Sequence, residues 1–112
     1  MQRIPKRLVD GAQLTNAAAA YYTAPASTVT TIGACTLTNT TAGAVTATLH
    51  LVPSGGGPTA ANCILSARVI AAGESYNVGQ AIGQSLPPGG TLQALAGAGA
   101  SISLVASGYE TA

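Results

Sequence analysis

His50 is the one histidine in the chain, and a search for chemistry starts with it. A nucleophile–histidine–carboxylate set would need Asp10, Glu74 or Glu110 to reach that imidazole, with an exposed serine on its other side. No spacing in the sequence brings such residues together, so His50 reads as a surface or interface residue without a catalytic role. Glu74 and Glu110 could pair as the acid and base of a glycoside hydrolase. Glu74, however, falls in a turn, Glu110 sits in the last few residues, and the chain has only three acidic residues to draw on. Zinc and calcium sites fail for lack of donors. Cys35 and Cys63 lack the CxxC spacing of a redox or metal site. A disulfide between them would contribute roughly 3–4 kcal/mol on the chain-entropy account. Without a secretion signal, the two thiols are expected as small buried hydrophobes in a reducing cytoplasm. The stretch Pro53-Ser-Gly-Gly-Gly-Pro-Thr-Ala60 is glycine-rich but lacks the Lys-Ser/Thr of a phosphate-binding loop. Asn39-Thr-Thr41 fits the glycosylation acceptor pattern, which has meaning only in a secreted eukaryotic protein. The residues point away from an enzyme, with no cofactor and no metal.

Composition narrows the classes further. The 112 residues make one domain, and only 6% of them are charged. With no Phe and no Trp, the core must come from Leu, Ile, Val and many Ala, plus four Tyr. Small side chains bury little apolar area each, and a surface so poor in charge favours association. An assembly subunit is the expectation. A net charge of +1 argues against nucleic acid as the partner. Three of the basic residues, Arg3, Lys6 and Arg7, cluster at the start, either as a docking arm for an acidic surface or as a solvated terminus. Asp10, Gln13, Thr15 and Asn16 interrupt any apolar run before Ala17–Ala20, so this start is not read as a secretion signal. No stretch reaches the roughly 18 apolar residues that span a bilayer.

The positioning elements read as strands. Val45, Ala47, Leu49 and Leu51 alternate with Thr46, Thr48, His50 and Val52, which places the two sets on opposite faces. Upstream, Val29, Thr31, Gly33, Cys35 and Leu37 read as one face, with Ile32 and Ala34 on the other. The turn-forming run Asn39-Thr-Thr-Ala-Gly43 then joins 28–40 to 44–52 as a hairpin. Residues 1–26 read as a leading arm, with a small hairpin at Asp10-Gly11 and a strand through Tyr21 and Tyr22 that ends before Pro25. Further strands are expected over 62–71, 75–78, 91–96 and 101–107, with a helical or irregular turn within 79–86 and a tight turn at Pro87-Pro-Gly-Gly90. Seven or eight short strands fit an all-β, Greek-key β-sandwich, Ig/fibronectin-III-like or jelly-roll-like, over 27–112 with an extended N-terminal arm.

The runs Leu37–Thr41, Val45–Gly56, Ala71–Tyr76 and Ile102–Glu110 together resemble small β-sandwich proteins encoded among the structural genes of tailed bacteriophages. The resemblance spans roughly residues 20–110. It implies a virion component assembled in the host bacterial cytoplasm, foremost a capsid decoration (cement) protein, with a neck, tail or fibre accessory as the alternative. The implied partners are the major capsid protein or other virion proteins, and further copies of the chain, a trimer at three-fold positions among them. Arg3, Lys6, Arg7, Tyr21 and Tyr22 are the candidate contact residues, and deletion of residues 1–14 is expected to leave a folded sandwich that no longer binds shells. A carbohydrate-binding or adhesin-type sandwich is the competing reading, and it requires two or more tyrosines on one exposed face.

Overall fold

The computed structural model describes residues 3–111. Nine strands follow one another among them: β1 (Arg3–Gln13), β2 (Ala19–Thr23), β3 (Val29–Asn39), β4 (Val45–Val52), β5 (Cys63–Ile70), β6 (Ser75–Asn77), β7 (Ser85–Leu86), β8 (Thr91–Ala96) and β9 (Ile102–Thr111). Two single 3-10 turns, Ala60–Asn62 and Gly79–Ala81, interrupt them. One sheet runs β1-β9-β3-β6, with β7 also pairing with β3, and the other runs β2-β8-β4-β5. Every pairing is antiparallel. The two sheets pack face to face as a β-sandwich.

The inner faces follow the period of two. On β4, Ala47 and Leu49 are fully buried, with Val45 and Leu51 packed against them. They meet Leu37, Ile102 and Leu104 of the other sheet within one core. Alanines fill much of the rest: Ala24, Ala47, Ala81, Ala94, Ala96 and Ala106 are all buried. A core without Phe or Trp is filled by close approach of small side chains, since interiors pack to crystal-like density whatever their composition.

β3 and β4 are not a hairpin, because they lie in different sheets. Asn39 is the cause. Its Nδ2 donates to the Gly43 carbonyl at 2.8 Å and to the Ile70 carbonyl at 2.9 Å. Its Oδ1 accepts from the Thr41 backbone N–H at 2.9 Å and the Thr41 hydroxyl at 2.7 Å. A fully buried amide with four partners holds a corner over which the chain crosses from one layer to the other. The hairpin that does form joins β4 to β5.

The phase of β3 also differs from the expected one. Ile32 pairs with Gly108 and Ala34 with Ser107, leaving Gly33 as an extra residue. A bulge of this kind exchanges the faces. Thr30 and Ile32 therefore point inward before it and Cys35, Leu37 and Asn39 after it, while Gly33 and Ala34 are exposed.

The expected leading arm is, from Arg3 onward, part of the sandwich. β1 pairs with β9 from Arg3–Thr111 to Gln13–Ser103. Asp10-Gly11 makes no hairpin; the register shifts there, with Gly11 at a φ of 108° that a side chain would oppose. Leu8, Val9 and Leu14 join the core.

Candidate functional site

The bulge that re-phases β3 also shapes the surface above it. Gly33 and Ala34 of β3, Ser107 and Gly108 of β9, and Pro5, Lys6 and Arg7 of β1 surround a shallow hollow of about 520 Å³, walled on one side by Tyr109. Its floor is backbone and small side chains. Gly108 has no alternative: a Cβ there would overlap the Thr31 carbonyl oxygen, whereas one on Gly33 would meet nothing nearer than 3.7 Å.

Around this hollow the outer face of the β1-β9-β3 sheet carries hydroxyls and exposed hydrophobics. Register puts Val105 beside Thr36, Tyr109 beside Thr31 and Val29 beside Thr111. Among the described residues, six large hydrophobics are exposed, and Val29, Val105 and Tyr109 of this face are three of them. Charge enters only at the β1 margin, where Arg7 Nη1 lies 3.5 Å from Asp10 Oδ1 with both side chains more than half exposed. Such a pair contributes little to stability and leaves the guanidinium open to a partner.

The residues expected to make contacts separate into two groups. Lys6 and Arg7 lie on β1 at the rim of the hollow, while the side chain of Arg3 lies outside the described residues. Tyr21 and Tyr22 are elsewhere, on β2 of the other sheet. Tyr21 is half-buried, its hydroxyl accepting from the Thr15 backbone N–H at 3.3 Å.

Tyr22 is buried and faces inward. Its hydroxyl donates to Glu110 Oε2 at 2.5 Å and lies 2.7 Å from Thr30 Oγ1. Lys6 Nζ reaches the same carboxylate oxygen at 3.2 Å. Burial, and then the Glu110 carboxylate, push the Tyr22 hydroxyl up to about 12. The Tyr22 hydrogen bond and then Lys6 hold the Glu110 carboxyl below its ordinary value. This polar cluster ties one sheet to the other. On the far side of the sandwich, Arg68 of β5 stacks on Tyr76 of β6 at 4.4 Å and spans the layers there.

Tyr109 alone of the four tyrosines is exposed, so no exposed face offers the paired aromatic platform that sugar binding was expected to need.

The chain matches no protein-family model, no curated protein and no solved structure.

Cys35 and Cys63 are both free thiols. Cys35 points into the core from β3, where burial pushes its thiol up to about 11. Cys63 is half-buried on β5 of the other sheet, so the expectation of two buried thiols holds for Cys35 only. His50, expected as a surface or interface residue, is buried within the chain, 8% exposed, with Nδ1 2.9 Å from Asn62 Oδ1. No group of three or more His, Cys, Asp or Glu side chains that could hold a metal occurs among the described residues.

Sequence reasoning missed Val29, Val105 and Tyr109 as members of one face. The alternation in each strand was visible, but that β9 lies between β1 and β3 was not.

Proposed function

We propose that this protein is a structural component of a tailed-bacteriophage virion, of the capsid decoration type, that docks on the assembled shell through the outer face of its β1-β9-β3 sheet. The observation that carries the reading is that face itself. It is a broad, hydroxyl-rich surface with exposed Val29, Val105 and Tyr109 and with charge only at its edge. In a chain that is 6% charged, such a face suits burial against a protein neighbour.

The strand order supports it. We read β1-β9-β3-β6 over β2-β8-β4-β5 as a jelly roll, with β7 an added short strand. Jelly rolls recur in viral capsid and lectin domains. The resemblance of the strand and turn sequences to phage structural proteins points the same way, although fold alone does not assign function. The tyrosine arrangement disfavours the lectin-like reading.

On this reading Arg7 meets an acidic patch of the major capsid protein at the rim of the contact, while Lys6 stays with Glu110. A mobile basic arm is not required, since the chain is strand from Arg3 onward. Copies associate in the virion, with a trimer at three-fold positions as the proposed form. A place at the neck, tail or fibre is the alternative.

The test compares Val105→Glu on the docking face with Val69→Lys on the opposite sheet, using shells that lack the protein. Both variants keep the fold, since both positions are exposed. Val69→Lys co-sediments like the parent protein and Val105→Glu does not. Undiminished binding by Val105→Glu overturns the assigned face.

A further inference from the structure

On the outer face of the β2-β8-β4-β5 sheet, His50 of β4 and Cys63 of β5 are register partners. Partners across an antiparallel pair carry their Cβ atoms about 4.5–5.5 Å apart on one face. The register slips between Leu49 and His50, leaving Ile64 without a partner, and bulges of this kind re-aim side chains.

Asn62 settles which nitrogen of His50 is free. Its Nδ2 donates to the Gly57 carbonyl at 2.9 Å, and its Oδ1 accepts from the Thr59 backbone N–H at 3.0 Å. Those two backbone partners fix the orientation of the amide. The atom 2.9 Å from His50 Nδ1 is therefore an oxygen, which can only accept. In the neutral imidazole, Nδ1 carries the proton and Nε2 the lone pair.

His50 as a residue is more than nine-tenths buried. No fully buried side-chain nitrogen or oxygen lacks a partner among the described residues, and none of the described residues partners Nε2. Nε2 thus opens into the hollow of about 440 Å³ that His50 shares with Thr48, Cys63 and Ser66. The Cys63 thiol faces the Leu65 carbonyl, to which it donates at 3.3 Å.

We propose that His50 Nε2 and Cys63 Sγ are the two protein ligands of a site for a soft monovalent d10 cation of the copper(I) class. Thiolate and imidazole are the donors such a cation selects. Two ligands suffice for it, whereas tetrahedral zinc takes four. No carboxylate lines the hollow, which excludes the oxygen-seeking divalent ions. On binding, the Cys63 S–H bond breaks, its proton leaves to solvent, and S–Cu and N–Cu bonds form with no change of oxidation state. Asn62 acts as a positioning residue, holding the ring in the tautomer that ligates.

The experiment is an anaerobic titration of the full chain with copper(I) held by a coloured competing chelator. One equivalent binds per chain. Cys63→Ser and His50→Gln each abolish that equivalent, Cys35→Ser leaves it intact, and Asn62→Ala weakens it about 10–100-fold. Unchanged binding by His50→Gln, or loss with Cys35→Ser, overturns the site. A second measurement needs no variant: bound copper(I) protects Cys63 of the parent protein from alkylation, read by mass spectrometry of the modified peptide. Equal alkylation with and without the ion overturns the proposal.

Discussion

Glu110, near the end of β9, accepts a 2.5 Å hydrogen bond from the Tyr22 hydroxyl on the facing sheet. The two residues belong to different layers, and Thr30 and Lys6 complete the cluster from β3 and β1. Tyr22→Phe removes the bond and leaves the carboxylate with Lys6 alone. A hydrogen bond to a charged group is worth about 1.5–3 kcal/mol, and a loss of that size is expected in urea unfolding. The pH dependence follows from the two shifts. Tyr22 is raised, so its contribution is complete below its ordinary value near 10 and is lost as pH rises through about 12. Glu110 is lowered, so its contribution is complete above its ordinary value of 4.5 and is lost as pH falls through its folded value. In Tyr22→Phe the alkaline loss disappears, and the acid loss, which still begins at the ordinary carboxyl value, becomes smaller and ends at a higher pH.

Gly108 and Gly33 sit side by side, yet their substitutions should differ sharply. An added methyl on Gly108 overlaps the Thr31 carbonyl oxygen, a backbone atom that cannot rotate away. Gly108→Ala is expected to cost about 3 kcal/mol or more, at the upper end of overpacking. Gly33→Ala meets only ordinary contact and should stay within about 1 kcal/mol. Equal midpoints for the two in chemical denaturation would contradict this packing.

The strands themselves were legible in the sequence. The expected strand over 91–96 is β8, Thr91–Ala96, and the expected 62–71 is β5, Cys63–Ile70. The inner set Val45, Ala47, Leu49 and Leu51 follows directly from alternation. What local pattern could not supply was pairing. Asn39-Thr-Thr-Ala-Gly43 carries hairpin chemistry, and only the distant Ile70 carbonyl shows that Asn39 closes a corner between layers instead. The phase of β3 was hidden for the same reason, since a bulge at Gly33 exists only relative to β9. The His50 environment depends on the Thr59–Asn62 turn folding back over β4.

Asn39→Ala removes the four side-chain hydrogen bonds that Asn39 makes and leaves the Ile70 carbonyl without this donor. Each buried polar group left unsatisfied costs about 1–3 kcal/mol, so a loss of about 3 kcal/mol is expected, with an unchanged denaturant slope. A loss below about 0.5 kcal/mol, in the range of ordinary surface substitutions, would show that the turn holds without it.

Deletion of residues 1–14 should now unfold the protein, reversing the expectation from sequence. It removes Leu8, Val9 and Leu14 from the core and strips β9 of one neighbour. At about 1.5–3 kcal/mol per buried side chain, the loss approaches the whole 5–15 kcal/mol that stabilises an ordinary domain. Circular dichroism should show no cooperative melt, and a transition near that of the full chain would contradict the place given to β1.

The proposed function stands or falls on docking to an assembled shell. The measurement is to mix the purified protein with mature shells lacking it, sediment them, and count bound copies per particle. Hundreds of copies are expected, saturating at a multiple fixed by shell symmetry. A dozen or fewer would move the protein to the neck or tail, and no bound copies at all would contradict the account.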